Sequence, residues 1–332
     1  MFSQLANIWR VHDLRNKLLF VVAMVAVYRL GVFIRVPGVD PIAIEQLRES
    51  AGQQGALGFL NLFSGGAFES FSIFALGIMP YITASIIMQV LGVVIPKLEE
   101  LQQEGAVGQR KITQYTRYVT IGLATLQSTG LVFIFGTGRG TAFFSAASAA
   151  PTVPLLPDGV WPRGYLIIPT LVAGTAVLMW MAELISQRGI GNGMSMIIFA
   201  SVVASLPGGF WSILQLNKVF WFVAMVLLTI GIIIAVVFVE LGQRRIPVQF
   251  AKRVVGRRMM GGQNTYIPLK VNQSGVIPII FASSIMLLPV IFSQFLGSGE
   301  GWRGEIASFV DQYIVNPQNF VYITLFALMI IA

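Results

Sequence analysis

Residues 61–91 read NLFSGGAFESFSIFALGIMPYITASIIMQVL and hold two unlike halves. From 71 to 95 the chain runs 25 residues without a charge. A bilayer crossing takes about 20 mostly apolar residues, so this half reads as a membrane span. The stretch 58–72 before it is short, broken by Gly65 and Gly66, and carries Glu69, yet it is rich in Leu and Phe. Leu60, Phe63, Ala67 and Phe71 fall at i, i+3, i+7 and i+11, one stripe of a helix, with Asn61, Ser64, Glu69 and Ser70 mostly away from it. Each glycine weakens such a helix by about 1 kcal/mol relative to Ala. A weak, half-polar helix suits an aqueous cavity better than lipid; a helix lying on the outer membrane surface is the other reading.

Composition agrees with a membrane setting. The chain is 55% hydrophobic and 11% charged, with mean hydropathy +0.77, whereas soluble domains are about 25% charged. There are no cysteines, hence no disulfide framework or thiol chemistry, and the single histidine, His12, precedes the first apolar run. Eight candidate spans follow, near 18–34, 71–95, 118–135, 165–182, 194–206, 219–239, 275–293 and 320–332. The fifth is short, and the eighth has no polar exit, which suggests a sequence cut inside a helix. The expected fold is an all-α polytopic membrane protein.

Alternate loops are basic. Arg10, Arg15, Lys17, Lys97, Arg110, Lys111, Arg117, Arg188, Arg244, Arg245, Lys252, Arg253, Arg257, Arg258 and Lys270 make up 15 of the 22 Lys and Arg residues. The positive-inside rule places these loops, and the N-terminus, in the cytoplasm. No small-residue cleavage pattern follows the first apolar run, so it reads as a retained span. The net charge of +8 is largely this bias. The loop 244–270 exceeds it, with seven cations and no acid after Glu240. An acidic or phosphate-bearing partner, anionic lipid and a plain topology signal all fit that loop. Alternating apolar residues (Ile246, Val248, Phe250) favour an ordered hairpin or helix tip over a loose tail.

The spans are nearly free of ionisable groups. All four Asp residues lie outside them, Glu183 and Glu240 sit at cytoplasmic ends, and Arg29 is near the outer end of the first span, where it can snorkel or pair. That argues against a proton-coupled pump, since intramembrane charges mark proton paths; ion coupling through carbonyls stays open. HExxH, a GK[ST] phosphate loop and an intramembrane Ser–His pair are all missing from the sequence. GTGRG (136–140) and GIGNG (189–193) follow no strand; the second fits a tight turn. No catalysis, cofactor or metal is expected.

Several ordered blocks resemble the SecY family of bacterial type, the core channel subunits of the general protein-translocation machinery: the opening stretch, GQRKITQYTRY (108–118), ISQRGIGNGMS (185–195), VFVELGQRRIPVQFAKRVVGRR (237–258) and IPLKVNQSGVIPIIFASS (267–284). The resemblance implies ten spans in two inverted halves, of which this chain holds 1–206 and part of the second half, 207–332. It implies a protein-conducting channel for unfolded polypeptides, with signal sequences leaving sideways into lipid. It makes 58–72 a plug folded into the outer funnel, including Leu60, Asn61, Phe63, Ser64, Gly65, Gly66 and Glu69. Ile78 and Ile82, Met194 and Ile198, each pair four apart, and Ile280 would form an apolar pore ring, although such spacing alone fits ordinary core. The second and seventh spans, interrupted by Gly77, Pro80, Pro278 and Pro289, would be the lateral gate, with Thr83, Ile86, Gln89, Asn272, Ile279 and Ser283; ordinary helix–helix contact is the competing account. Arg244, Arg245, Lys252, Arg253, Arg257 and Arg258 would bind a SecA-like ATPase motor or a ribosome. SecE-like and SecG-like membrane subunits, signal sequences, unfolded preproteins and anionic lipids complete the implied partners, in the bacterial cytoplasmic (inner) membrane. The rival readings are a secondary transporter built on inverted repeats and an intramembrane hydrolase; the first needs a polar midplane site, the second a nucleophile–base pair.

Overall fold

The computed structural model describes residues 11–40, 44, 63–136, 163–215, 219–248, 253–255, 258–260, 265–272, 275, 278–279, 282–283, 285–286, 289, 302–315 and 319–331. Its helices are α1 (His12–Phe33), α2 (Met79–Val94), α3 (Pro96–Gln103), α4 (Ala106–Gly136), α5 (Gly164–Arg188), α6 (Gly193–Gln215), α7 (Val219–Glu240), α8 (Trp302–Val310), which runs on into a π-helical turn (Asp311–Val315), and α9 (Phe320–Ile331). Between α7 and α8 come strands β1 (Gln243–Val248), β2 (Arg253–Val255), β3 (Arg258–Met260) and β4 (Thr265–Lys270). Among the described residues α1, α5 and α7 are long and apolar enough to cross a membrane, and α2 with α3 is a fourth candidate if the bent pair is one span.

Two units are compact in themselves, 1–207 with 279–332, and 208–278. In the first, three helix boundaries differ from those expected. α2 begins at Met79, not at 71, and Pro80 lies in its first turn. There the missing N–H is one that no helical carbonyl would have received, so Pro80 opens the helix instead of kinking it. α4 joins the basic stretch 108–118 and the third span in one helix of 31 residues. α6 runs past the expected end at 206 to Gln215 with Pro207 inside it; the following Phe210, Trp211 and Leu214 keep the segment apolar, and a proline is tolerated in membrane helices whose freed groups find other partners. α5 ends at Arg188, a cation at the negative end of the helix. The GIGNG turn after it is held by side chains: the Ser186 hydroxyl accepts the Gly193 N–H at 2.8 Å, and Asn192 Oδ1 accepts that of Met194 at 3.0 Å.

Two apolar clusters form the core of this unit. One joins α1 (Val21, Tyr28, Val32), α2 (Met79, Ile82, Ile86), α5 (Leu178, Met181, Ile185) and Ile197 of α6. The other joins α4 (Ala124, Leu131, Val132), Ile167 and Leu171 of α5, and Val36 and Ile44. Residues 63–78 contribute to both, with Ala67, Phe74 and Ile78 in the first and Phe68, Phe71, Ala75 and Leu76 in the second.

The second unit is α7 and a β arm. No residue of α7 is buried. The basic loop is a hairpin: β1 and β4 pair antiparallel with Ile246 opposite Ile267, and β2 pairs β3 further out. Its base is closed by the Val271 N–H on the Gly242 carbonyl at 3.1 Å.

Candidate functional site

Residues 63–78 carry the site. Past Phe63 and Ser64 the backbone runs in turns up to α2, with left-handed φ at Gly65 (63°), Gly66 (85°), Phe71 (47°) and Gly77 (59°). Over the described part, 63–72, this overturns the expected helix, because left-handed residues cannot propagate a right-handed helix. Ser64, assigned to the polar side, is buried, and its hydroxyl accepts the Phe68 N–H at 3.1 Å. Glu69 is half-buried. Leu60 and Asn61 lie outside the described residues.

The segment is seated by its neighbours. The Val36 N–H donates to the Phe71 carbonyl at 3.1 Å and the Ile73 N–H to that of Ile34 at 3.0 Å, joining it to the end of α1. Phe74 stacks on Tyr28, with ring centroids 5.8 Å apart, and lies so close to Gly31 that a Cβ there would strike its ring. A Cβ at Gly174 of α5 would likewise strike the Ile73 carbonyl. At the Gly65 turn, Tyr28 donates its hydroxyl to the Ser64 carbonyl at 2.8 Å and shares a 2.7 Å hydrogen bond with the hydroxyl of Ser201 on α6. Arg29 donates to the Gly65 carbonyl at 3.0 Å, so it pairs rather than snorkels.

Of the ring residues, Ile78 and Ile82 are buried in the first cluster, and Met194 and Ile198 pack against the same cluster; Ile280 lies outside the described residues. Of the gate residues, Thr83 is buried and donates to the Met79 carbonyl one turn back at 3.0 Å. Ile86 is buried in the first cluster, Gln89 is exposed, and Ile279 and Ser283 have helical backbone. Asn272 serves the base of the β arm: its amide donates to the Glu240 carboxylate at 2.8 Å, and its Oδ1 accepts the Gly275 N–H at 3.1 Å. On the arm, Arg244 and Arg245 are neighbours on β1 and so point to opposite faces. Arg245 lies over the Tyr266 ring, 4.8 Å from its centroid. Arg253 and Arg258 have their backbone in β2 and β3; Lys252 and Arg257 lie outside the described residues.

Sequence reasoning missed Tyr28, Ser201 and a bidentate ion pair. Arg117 of α4 reaches Glu183 of α5 with Nε 2.8 Å from Oε1 and Nη2 on Oε2. These hydrogen bonds raise the Arg117 guanidinium above its usual value. The pair was legible only as two opposite charges at cytoplasmic helix ends. Buried hydroxyls turn inward on their own helices: Thr83, Thr116, Thr120, Ser128 and Thr175 each reach a carbonyl four residues back. Among the described residues no group of three His, Asp or Glu comes together to hold a metal.

The match to known proteins runs the length of the chain. A protein translocase subunit SecY of Streptomyces galbus is 48% identical over 336 residues, covering 100% of this chain and 75% of the relative. Its counterpart in Mycobacterium tuberculosis (strain ATCC 25618 / H37Rv) is 46% identical with the same coverage. Among solved structures, one described as "The structure of a protein conducting channel" aligns with TM-score 0.52 at 20% identity, over 85% of this chain and 59% of that one. A second, of Sec61 in the canine ribosome-channel complex from the endoplasmic reticulum, gives 0.50 at 20% identity, over 85% and 59%. The chain thus spans three-quarters of the curated relatives it matches and less than two-thirds of those solved chains, and the structural likeness speaks for the fold. The family model described as SecY matches residues 72–332, and with relatives of this similarity the chain belongs to the SecY family.

Proposed function

We infer that the chain works as a protein-conducting channel, a multi-pass membrane protein that moves unfolded polypeptides across the bilayer and releases membrane segments into it. The observation that carries this reading is the segment 63–78, an irregular backbone buried among α1, α2, α5 and α6. At membrane depth such backbone survives only where protein encloses it or where it borders a water-filled cavity. A segment built from turns rather than from a continuous helix, next to an apolar collar, is one that can leave and return. Its first part, 63–72, is read here as the described portion of the plug (58–72), and Ile78, Ile82, Met194 and Ile198, with Ile280, as the ring that keeps ions out by dewetting. The lateral gate is assigned to the second and seventh spans. A solute carrier fits less well, because the buried polar side chains among the described residues are uncharged, mostly hydroxyls bonded to their own helices.

The basic arm is the proposed docking point for a SecA-like ATPase motor or a ribosome, with SecE-like and SecG-like subunits beside the spans. The bacterial cytoplasmic membrane is proposed from the family, and a cytoplasmic N-terminus from the charge bias of the loops. Deleting residues 61–70 from the intact protein tests the plug. In planar bilayers the idle variant should leak ions while the parent stays closed; an unchanged closed baseline would overturn the assignment.

A further inference from the structure

We propose that Tyr28 is the positioning residue of the plug, a latch that sets how readily residues 63–72, its described part, leave the interior; this rests on the plug reading above. Its hydroxyl touches three parts at once: α1, which carries it, the Ser64 carbonyl, and the Ser201 hydroxyl of α6. All three residues are buried. The next side chain, Arg29, holds the next carbonyl, that of Gly65. The left-handed Gly65 and Gly66 keep the segment from forming a regular helix; the Ser64 carbonyl accepts the Ala67 N–H in a 3.3 Å turn bond, and the donors on α1 add to what the turns supply. The fit depends on glycine: a Cβ at Gly65 would be 3.0 Å from Ser201 Cα and 3.2 Å from the Tyr28 hydroxyl. Moving the segment outward breaks the bonds from Tyr28 and Arg29 together, and moving α6 away breaks the one to Ser201. The latch therefore joins plug release to displacement of α6, the helix that also brings Met194 and Ile198 to the collar.

Tyr28→Phe keeps the ring stacked on Phe74 and removes only the hydroxyl. One lost neutral hydrogen bond shifts an equilibrium by about fivefold, so the idle conductance of the intact protein in planar bilayers should rise by about that factor. Ser201→Ala, which spares the bond to Ser64, should raise it less. Both substitutions are then repeated in the 61–70 deletion, which has no plug to hold. There they should add nothing, since interacting changes are not additive. A leaking deletion with Tyr28→Phe and Ser201→Ala both at the parent baseline would overturn the latch and leave the plug standing. A deletion that does not leak would remove the plug reading itself. An equal rise with and without the plug would reduce Tyr28 to general packing and overturn the latch as well.

Discussion

Ser72 is fully buried, and its hydroxyl has no hydrogen-bond partner among the described residues. An orphaned buried polar group costs about 1–3 kcal/mol, here within the segment proposed as the plug. Ser72→Ala should raise the melting temperature of the protein in detergent by about 2 °C, the shift expected for about 1 kcal/mol. Light scattering or intrinsic fluorescence during heating reads it, and a lower melting temperature would show that the hydroxyl is satisfied after all. At this scale the sequence was partly legible. Arg29 stood out as a charge in an apolar run. Tyr28 did not, because one of its partners lies 36 residues away and the other 173, and no local pattern announces a bond across that separation.

The helices were legible from apolar runs, but the start of α2 was not. Residues 71–78 are as apolar as a span, and only Gly77, with its positive φ, and Pro80 at the helix start mark the boundary. Periodicity reports burial, and a segment buried on both sides looks the same whether it is a span or a folded-in turn. The β arm shows a different economy. Pro247 lies opposite Tyr266, and Pro268 opposite Arg245. A proline in each strand removes a donor, which blunts both open edges against pairing with another chain. That leaves side chains, and above all cations, to make the contacts. Arg253→Glu or Arg257→Glu should therefore weaken ribosome binding about tenfold or more, as the loss of a charge-assisted contact implies, while Arg10→Glu and Arg15→Glu change it little. Arg245→Lys keeps the charge and loses the planar fork, so it should cost part of that affinity. Binding titrations, with orientation checked by protease, decide the matter; equal affinities would reduce the arm to a topology signal.

For the molecule as a whole, the helical membrane fold and the family were legible because they are written in composition and in long ordered blocks. The pairing of the second and seventh spans is proposed from the resemblance alone. Cysteines at Ile86 and Ile279, in a chain with none of its own, test it: the pair should crosslink, and the bond should block insertion of signal sequences. Failure across a scan of one turn on either side would remove these helices from the gate.

The Tyr28–Ser201 bond also places a clock on the making of the channel. A chain emerging at about 5–20 residues per second needs roughly ten to thirty-five seconds to get from Tyr28 to Ser201, 173 residues later. Until then the newborn N-terminal helices hold the 63–78 stretch without its last fastening. On the latch reading, the last fastening of the plug is therefore made only when α6 is complete, before the second half that would close the pore has been synthesised.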